Sequence, residues 1–248
     1  MVMRRPDLSV VIPAYNEERR LPPTLASIRE FLDGRGSRYE VLVVDDGSSD
    51  ATASSAQSAA SHWPQLRLLK LDRNRGKGAA IQRGMLAARG VRRLFTDADL
   101  STPIDELTKL EAAISVGADV AIGSRAVPGS RVEVHQPLHR ELMGKSYNRL
   151  LQALVLPGLH DTQCGFKLFT AAAAQSCFAE LHCPGFGFDA EVLLHASASG
   201  LRVAEVGVSW RNSCGTRVSP FNDSWRMLAE LWRLRRLRGS LVPLPEHT

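Results

Sequence analysis

The chain has 248 residues, 44% of them hydrophobic and 23% charged, which suits one large globular domain with at most a small appendage and excludes a disordered chain. A formal net charge of +5 favours phosphate-bearing partners, while 6% aromatic content with no evident stacking platform argues against nucleic acid. No apolar run is long enough to span a bilayer, no signal-peptide pattern opens the chain, and the four cysteines form no C-x-x-C pair, so a cytoplasmic location is expected.

In chain order, a basic tail over residues 1–7 leads into an apolar, β-branched run from Leu8 to Ile12 that predicts a buried strand. Pro22-Pro23 opens a helix that ends near Gly34 and Gly36. Tyr39 to Val44 reads as a second strand, and Ser49-Asp50 as the cap of an Ala/Ser-rich helix reaching His62. A third strand is expected from Leu66 to Leu71, a helix from Gly78 to Ala88, and a fourth strand from Arg92 to Thr96. Pro103 starts a helix to Val116, and Asp119 to Ile122 is a fifth strand. This alternation predicts an α/β fold with a mostly parallel sheet and helices on both faces.

Beyond residue 125 the alternation weakens. Residues 129–140 read as a basic loop, Glu141 to Leu156 as a helix, 161–166 as a polar turn, Phe188 to Ala198 as a helix, and Leu201 to Trp210 as one strand. Asn222 to Arg238 reads as a final basic helix, with a tail from 241 to 248. The expected organisation is a catalytic domain over 8–215 and a C-terminal basic amphipathic helix over 216–240.

Polar clusters follow four strands: Pro13-Ala14-Tyr15-Asn16-Glu17, Asp45-Asp46-Gly47-Ser48-Ser49-Asp50, Asp97-Ala98-Asp99 and Gly123-Ser124-Arg125. In a doubly wound sheet, ligands bind beyond the carboxyl ends of the strands, so the four should converge on one rim. Asp97 and Asp99, spaced i, i+2 at a strand's end, make a seat for a hard divalent cation that would hold substrate phosphates. Asn74-Arg75-Gly76-Lys77-Gly78 allows close backbone approach and offers one phosphate-binding cation, yet it is no Walker loop, and no G-x-G-x-x-G follows the first strand.

These segments, from Val11-Ile12-Pro13-Ala14-Tyr15-Asn16-Glu17 through Asp97-Ala98-Asp99, resemble the signatures of the inverting nucleotide-sugar glycosyltransferases of GT-A fold (family 2). Gly123-Ser124-Arg125-Ala126, the 161–169 segment DTQCGFKLF and Phe188-Asp189-Ala190-Glu191 resemble the dolichyl-phosphate β-glucosyltransferase branch, with dolichyl-phosphate mannose synthases next. The resemblance implies a Rossmann-like GT-A domain and assigns roles. Pro13, Ala14, Tyr15, Glu17 and Asp46 would hold nucleobase and ribose, with Gly76 and Lys77 nearby. Asp97, Ala98 and Asp99 would hold the nucleotide sugar, the two carboxylates through Mg²⁺ or Mn²⁺. Arg125 would sit near the sugar or phosphates, Asp161 and Gln163 would face sugar and acceptor, and Arg217 would bind a phosphate.

The implied reaction moves glucose from UDP-glucose to a polyprenyl phosphate with inversion. A lipid phosphate is already ionised near pH 7 and needs cations and positioning. A hydroxyl acceptor would need a general base, for which Asp161, Asp189 and Glu191 are the candidates. A GDP-mannose donor, a soluble hydroxyl acceptor and a non-catalytic nucleotide-sugar-binding module remain open. Members of the family that act on polyprenyl phosphates often carry membrane spans. Here Trp225, Leu228, Leu231, Trp232 and the 233–238 arginines could form an interfacial helix on a cytoplasmic membrane face, or a helix packed on the domain.

Overall fold

The computed structural model describes residues 5–134, 138–185, 187–212 and 220–241, with the side chains of 138–143, 145 and 220–228 left aside. Strands β1 (Leu8–Ala14) and β2 (Tyr39–Asp45) are buried at every position, as central parallel strands covered on both faces must be. With β3 (Leu66–Lys70), β4 (Arg92–Thr96), β5 (Val120–Ser124), β7 (Phe166–Thr170) and β8 (Val203–Gly207) they form a seven-stranded sheet in the order β3-β2-β1-β4-β7-β5-β8. The pairings are parallel except those of β7, which runs antiparallel to both β4 and β5. The sheet is therefore mostly parallel, as expected, with one inserted antiparallel strand.

The pleat sends alternate side chains to opposite faces. Val11, Leu42, Val44 and Phe95 join one core with helices α3 (Lys77–Ala87), α5 (Leu138–Leu154), α6 (Ala171–Ala179), α7 (Phe188–Ala198) and α8 (Pro220–Leu241). Val10, Ile12, Val41 and Val43 join the other with α1 (Leu21–Asp33), α2 (Thr52–His62) and α4 (Leu107–Ser115). Phe95 is the centre of an aromatic cluster, its ring centroid 6.2 Å from Phe169, 6.4 Å from Phe178 and 5.7 Å from Phe188. That cluster joins β4, β7, α6 and α7.

Several expectations need correction. Helix α2 starts at Thr52 without a side-chain cap, because the Asp50 carboxylate accepts from the Thr52 and Glu18 amides instead. The segment after Pro103 opens with a 3₁₀ turn (Ile104–Glu106) before α4. The expected 129–140 loop contains β6 (Arg131–Val134) and the start of α5. The single strand expected from Leu201 to Trp210 is divided: β8 joins the main sheet, and β9 (Ser209–Arg211) pairs parallel with β6. Strand β7 and helix α6 were not anticipated. Lys167, the second residue of β7, is fully buried and donates to Asp189.

Helix α8 packs its Leu231 and Leu234 into the core, so it is a helix docked on the domain, with Trp232 left on its outer side. The side chains of Trp225 and Leu228 lie outside the described set. Among the described residues no helix is long and apolar enough to cross a membrane.

Helix α3 lies close enough to the sheet that a Cβ at Gly84 would fall 2.3 Å from Val11 Cγ1 and 2.8 Å from Val44 Cγ2. Alanine would add about 1 kcal/mol of helix propensity, but overlap with two buried valines costs about 1–3 kcal/mol. Gly84→Ala is accordingly expected to lower the urea midpoint; an unchanged or raised midpoint would show that α3 can shift outward freely.

Candidate active site

The four polar clusters do meet on one rim, at the carboxyl ends of β1, β2, β4 and β5. The β1 and β2 exits are tied by hydrogen bonds. Asp46 N donates to Ala14 O at 2.8 Å, Asn16 N to Ser48 Oγ at 2.9 Å, and Ser49 N to Asn16 Oδ1 at 2.8 Å. Asn16 takes a left-handed conformation (φ 54°), which asparagine tolerates better than most residues. Pro13 and Ala14 are buried in β1, whereas the Tyr15 ring is 39% exposed at the rim. Glu17 forms a two-point ion pair with Arg20, at 2.5 and 2.6 Å.

Asp46 is buried and faces the α3 turn. Its Oδ1 accepts from Arg75 N at 2.7 Å and its Oδ2 from Gly76 N at 2.9 Å. Burial raises its pKa from the ordinary carboxylate value, and these two amides only partly oppose the rise. Gly47 (φ 67°) is required here, since a Cβ would meet the Arg73 backbone at 2.5 Å. Asp46 therefore locks the loop after β2 to the turn carrying Gly76 and Lys77.

Lys77 is the first residue of α3, and its ammonium lies 2.6 Å from Asp97 Oδ1. Burial would lower its pKa, but Asp97 and Asp189 outweigh burial and raise it, so it stays a cation. Asp97 leaves β4 opposite Gly165, which leaves β7's other end: a Cβ at Gly165 would fall 2.1 Å from Asp97 Oδ2. Between Asp97 and Asp99, Ala98 is buried and its carbonyl accepts from Thr24 Oγ1 at 2.7 Å. Asp99 Oδ1 accepts from Ser101 N at 3.0 Å. Arg20 lies within electrostatic reach of both carboxylates, and its pKa is raised first by Glu17 and then, after burial's opposing effect, also by Asp99 and Asp97. The sequence reading missed Arg20; its only signal was a cation three residues after Glu17.

Arg125, after β5, is held by Asp161. Its Nε donates to Oδ2 at 2.7 Å, its terminal nitrogen to Oδ1 at 2.9 Å, and its backbone N to Oδ2 at 3.0 Å. The guanidinium also lies over the Trp210 ring, 5.1 Å from its centroid. Burial would raise the Asp161 pKa, but Arg125 outweighs it and holds the carboxyl below its ordinary value. Gln163 N donates to Asp161 Oδ1 at 3.3 Å, which places Gln163 in the same turn. Arg217 lies outside the described residues.

Of the three base candidates, none is poised. Asp161 is consumed by the fork of Arg125. Asp189 is buried against the fully buried Lys167; burial raises its pKa, opposed by Lys167 and Lys77. Glu191 is fully buried and accepts from His182 N at 2.7 Å and from Arg233 at 2.6 Å. Burial pushes the Glu191 carboxyl up, but His195, the His182 amide and Arg233 pull it down to about 2.

The chemistry of the donor set fits a hard divalent cation. Asp97 Oδ1 is buried and accepts no hydrogen bond from any described residue beyond its ion pair with Lys77, so it is a carboxylate oxygen with coordinating capacity left. Among the described residues no three His, Cys, Asp or Glu side chains cluster as ligands.

A sheet of this order with a carboxylate pair beyond β4 defines a GT-A-fold glycosyltransferase. The glucosyl-3-phosphoglycerate synthase of Mycobacterium tuberculosis, crystallised with Mn²⁺, UDP and glucosyl-3-phosphoglycerate, superposes with a TM-score of 0.71 over 97% of this chain and 82% of that one; at 20% identity this likeness concerns the fold. The chain belongs to glycosyl transferase family 2, whose profile matches residues 9–178. It is 36% identical over 240 residues to the dolichyl-phosphate beta-glucosyltransferase of Dictyostelium discoideum, covering 92% of this chain and 73% of that protein. It is 37% identical over 248 residues to the human dolichyl-phosphate beta-glucosyltransferase, covering 94% and 76%. The family and fold expected from the motifs are thereby established.

The buried Glu191 makes stability depend on pH. Its folded pKa of about 2 lies below its ordinary 4.5, so its stabilising contribution is complete above pH 4.5 and is lost as pH falls toward 2. Glu191→Gln should flatten the fall in unfolding free energy across that window in urea titrations; an equally steep fall would show that other carboxylates carry it.

Proposed function

We propose that this enzyme transfers glucose from UDP-glucose to a polyprenyl phosphate, with a divalent cation and with inversion at the sugar carbon. The observation that carries the reading is the pairing at the rim: Asp161, the carboxylate that the family resemblance puts toward the acceptor, is tied at both oxygens to Arg125. A base with a depressed pKa and no free oxygen is poorly suited to deprotonating a sugar hydroxyl. An ionised phosphate acceptor requires no base, only cations and alignment.

The names of the curated relatives support glucosyl transfer to a dolichyl phosphate, and the crystal structures of similar fold with UDP and Mn²⁺ support the donor and the ion. Asp97 and Asp99 are the residues that would hold Mg²⁺ or Mn²⁺, which supplies positive charge to the diphosphate leaving group when bound. Lys77 and Arg20 add fixed cations beside that group, which act where negative charge grows as the sugar–phosphate bond breaks. Pro13, Ala14, Tyr15, Glu17 and Asp46 line the base and ribose side. Asp161 orients Arg125, with Gln163 in the same turn. The outer stripe of α8 presents Trp232, 62% exposed and stacked under Arg236 at 4.5 Å, beside exposed Arg235. Such a surface suits anionic lipid headgroups and a peripheral membrane position.

Asp97→Asn and Asp99→Asn should each reduce transfer by at least about a hundredfold, the scale of losing one electrostatic stabiliser, while retaining the far-UV spectrum. Near-normal turnover by either variant would sink the metal-seat assignment. Purified protein with Mn²⁺ or Mg²⁺ should transfer from UDP-glucose to a polyprenyl phosphate in preference to soluble alcohols and to GDP-mannose. Preference for a soluble alcohol or for GDP-mannose would overturn the acceptor or the donor assignment.

A further inference from the structure

Residues 181–185 connect α6 to α7 and lie against the first turn of α3. Ala79 N donates to Pro184 O at 3.2 Å, which satisfies one of the amides that a helix leaves unpaired at its start. Further along α3, Gln82 Nε2 donates to Phe178 O and Leu181 O, both at 2.9 Å. The contact is backbone against backbone: a Cβ at Gly76 would fall 2.4 Å from Pro184 O, and one at Gly78 would fall 2.3 Å from Cys183 O. Lys77 stands between these two glycines and reaches Asp97.

On its other side the same segment hangs from one buried carboxylate. Glu191 Oε1 accepts from His182 N at 2.7 Å and Oε2 from Cys183 N at 3.1 Å. Arg233, on α8, donates to the same Oε2 at 2.6 Å and to Glu230 at 3.2 Å. The imidazoles of His182 and His195 stay 3.7 Å from Oε1, so Arg233 is the nearest described cation to this carboxylate. Glu230 closes the loop by accepting from Cys183 Sγ at 2.9 Å. A fully buried carboxylate deprived of its cation either protonates, losing acceptor strength toward both amides, or draws in water. Either result loosens residues 182–184, and with them the backbone on which the Lys77 turn rests.

The geometry points to Arg233 as a positioning residue for the donor site: through Glu191 it holds the 182–184 backbone against α3 and so sets the place of Lys77 beside Asp97. The inference rests on Lys77 and Asp97 belonging to the donor site. It gives α8 a role in donor binding that its distance along the sequence from every donor motif conceals. Arg233 itself touches no substrate; its effect travels through three consecutive sets of hydrogen bonds.

The test uses the full chain with Arg233→Met, Arg233→Lys and, as a control for lost α8 packing, Leu234→Ala, which removes a fully buried side chain of the same helix. Arg233→Met should raise the donor KM and weaken UDP binding in the presence of Mn²⁺ by about tenfold or more, with acceptor KM changed by less than about twofold. Hydrogen exchange at the His182, Cys183 and Ala79 amides should accelerate by about tenfold or more in the same variant. Arg233→Lys should recover most of both effects. Leu234→Ala should lower the melting temperature without the donor-specific shift. Unchanged exchange at the three amides in Arg233→Met, or an equal donor-KM shift in Leu234→Ala, would overturn the assignment. If the unaltered protein bound no UDP, the donor reading would fail and the assignment to donor binding with it. The exchange rates would still report whether Arg233 holds the segment.

Discussion

Strand β7 enters the sheet between β4 and β5 and runs against both, and the site depends on that insertion. In a purely parallel sheet only strand ends that point the same way deliver loops to the binding rim. An antiparallel strand instead delivers its beginning. Thr96 pairs with Phe166, so the residues just outside the pair, Asp97 and Gly165, are brought face to face. The turn over residues 161–165 thus reaches the rim beside the carboxylate pair, and Asp161 reaches Arg125 at the end of β5. Gly165 is the concession to this closeness, because any side chain there would collide with the Asp97 carboxylate. The Phe95, Phe169, Phe178 and Phe188 cluster beneath holds β4 and β7 in this relation.

Charge in this region comes in pairs, and the pairs run from the rim into the core. Asp97 with Lys77 lies at the rim, Asp161 with Arg125 beyond the end of β5, Asp189 with Lys167 beneath, and Glu191 with Arg233 where α8 docks. Of these, only Lys167 with Asp189 is buried on both sides, and a fully buried ion persists only when paired and hydrogen-bonded. The pairing fixes the side chains it joins. It also separates the carboxylates by task. Asp97 and Asp99 keep coordinating capacity, while Asp161, Asp189 and Glu191 are occupied in holding cations and amides.

Helix α8 is part of this scheme. Its apolar stripe enters the core at Leu231 and Leu234, and its Arg233 meets Glu191 of α7. The outward stripe, with Trp232, Arg235 and Arg236, remains on the surface. One helix thus supplies a packing face, a half-exposed cation for a buried carboxylate and a basic exterior, which its composition alone could not apportion.

Much of the first half of the sheet was legible from the chain. Short β-branched runs, proline helix starts and polar clusters at strand exits are local signals, and β1 to β5 with the residues that follow them obey local rules. The motifs around Asp46, Lys77, Asp97 and Arg125 sufficed for the family as well. Partnership was not legible, because it joins residues far apart in sequence. Nothing local pairs Lys167 with Asp189, 22 positions away, yet the fold places the two together in the core. Asp161 reads as a free carboxylate until β7 carries it to Arg125, 36 positions earlier. Glu191 reads as a helix-start acid until the 182–183 amides and Arg233 converge on it. Local composition can say which residues are able to bind, ionise or coordinate. Only tertiary contacts, formed where desolvation forces each buried charge to find its counterpart, decide which of them are already engaged.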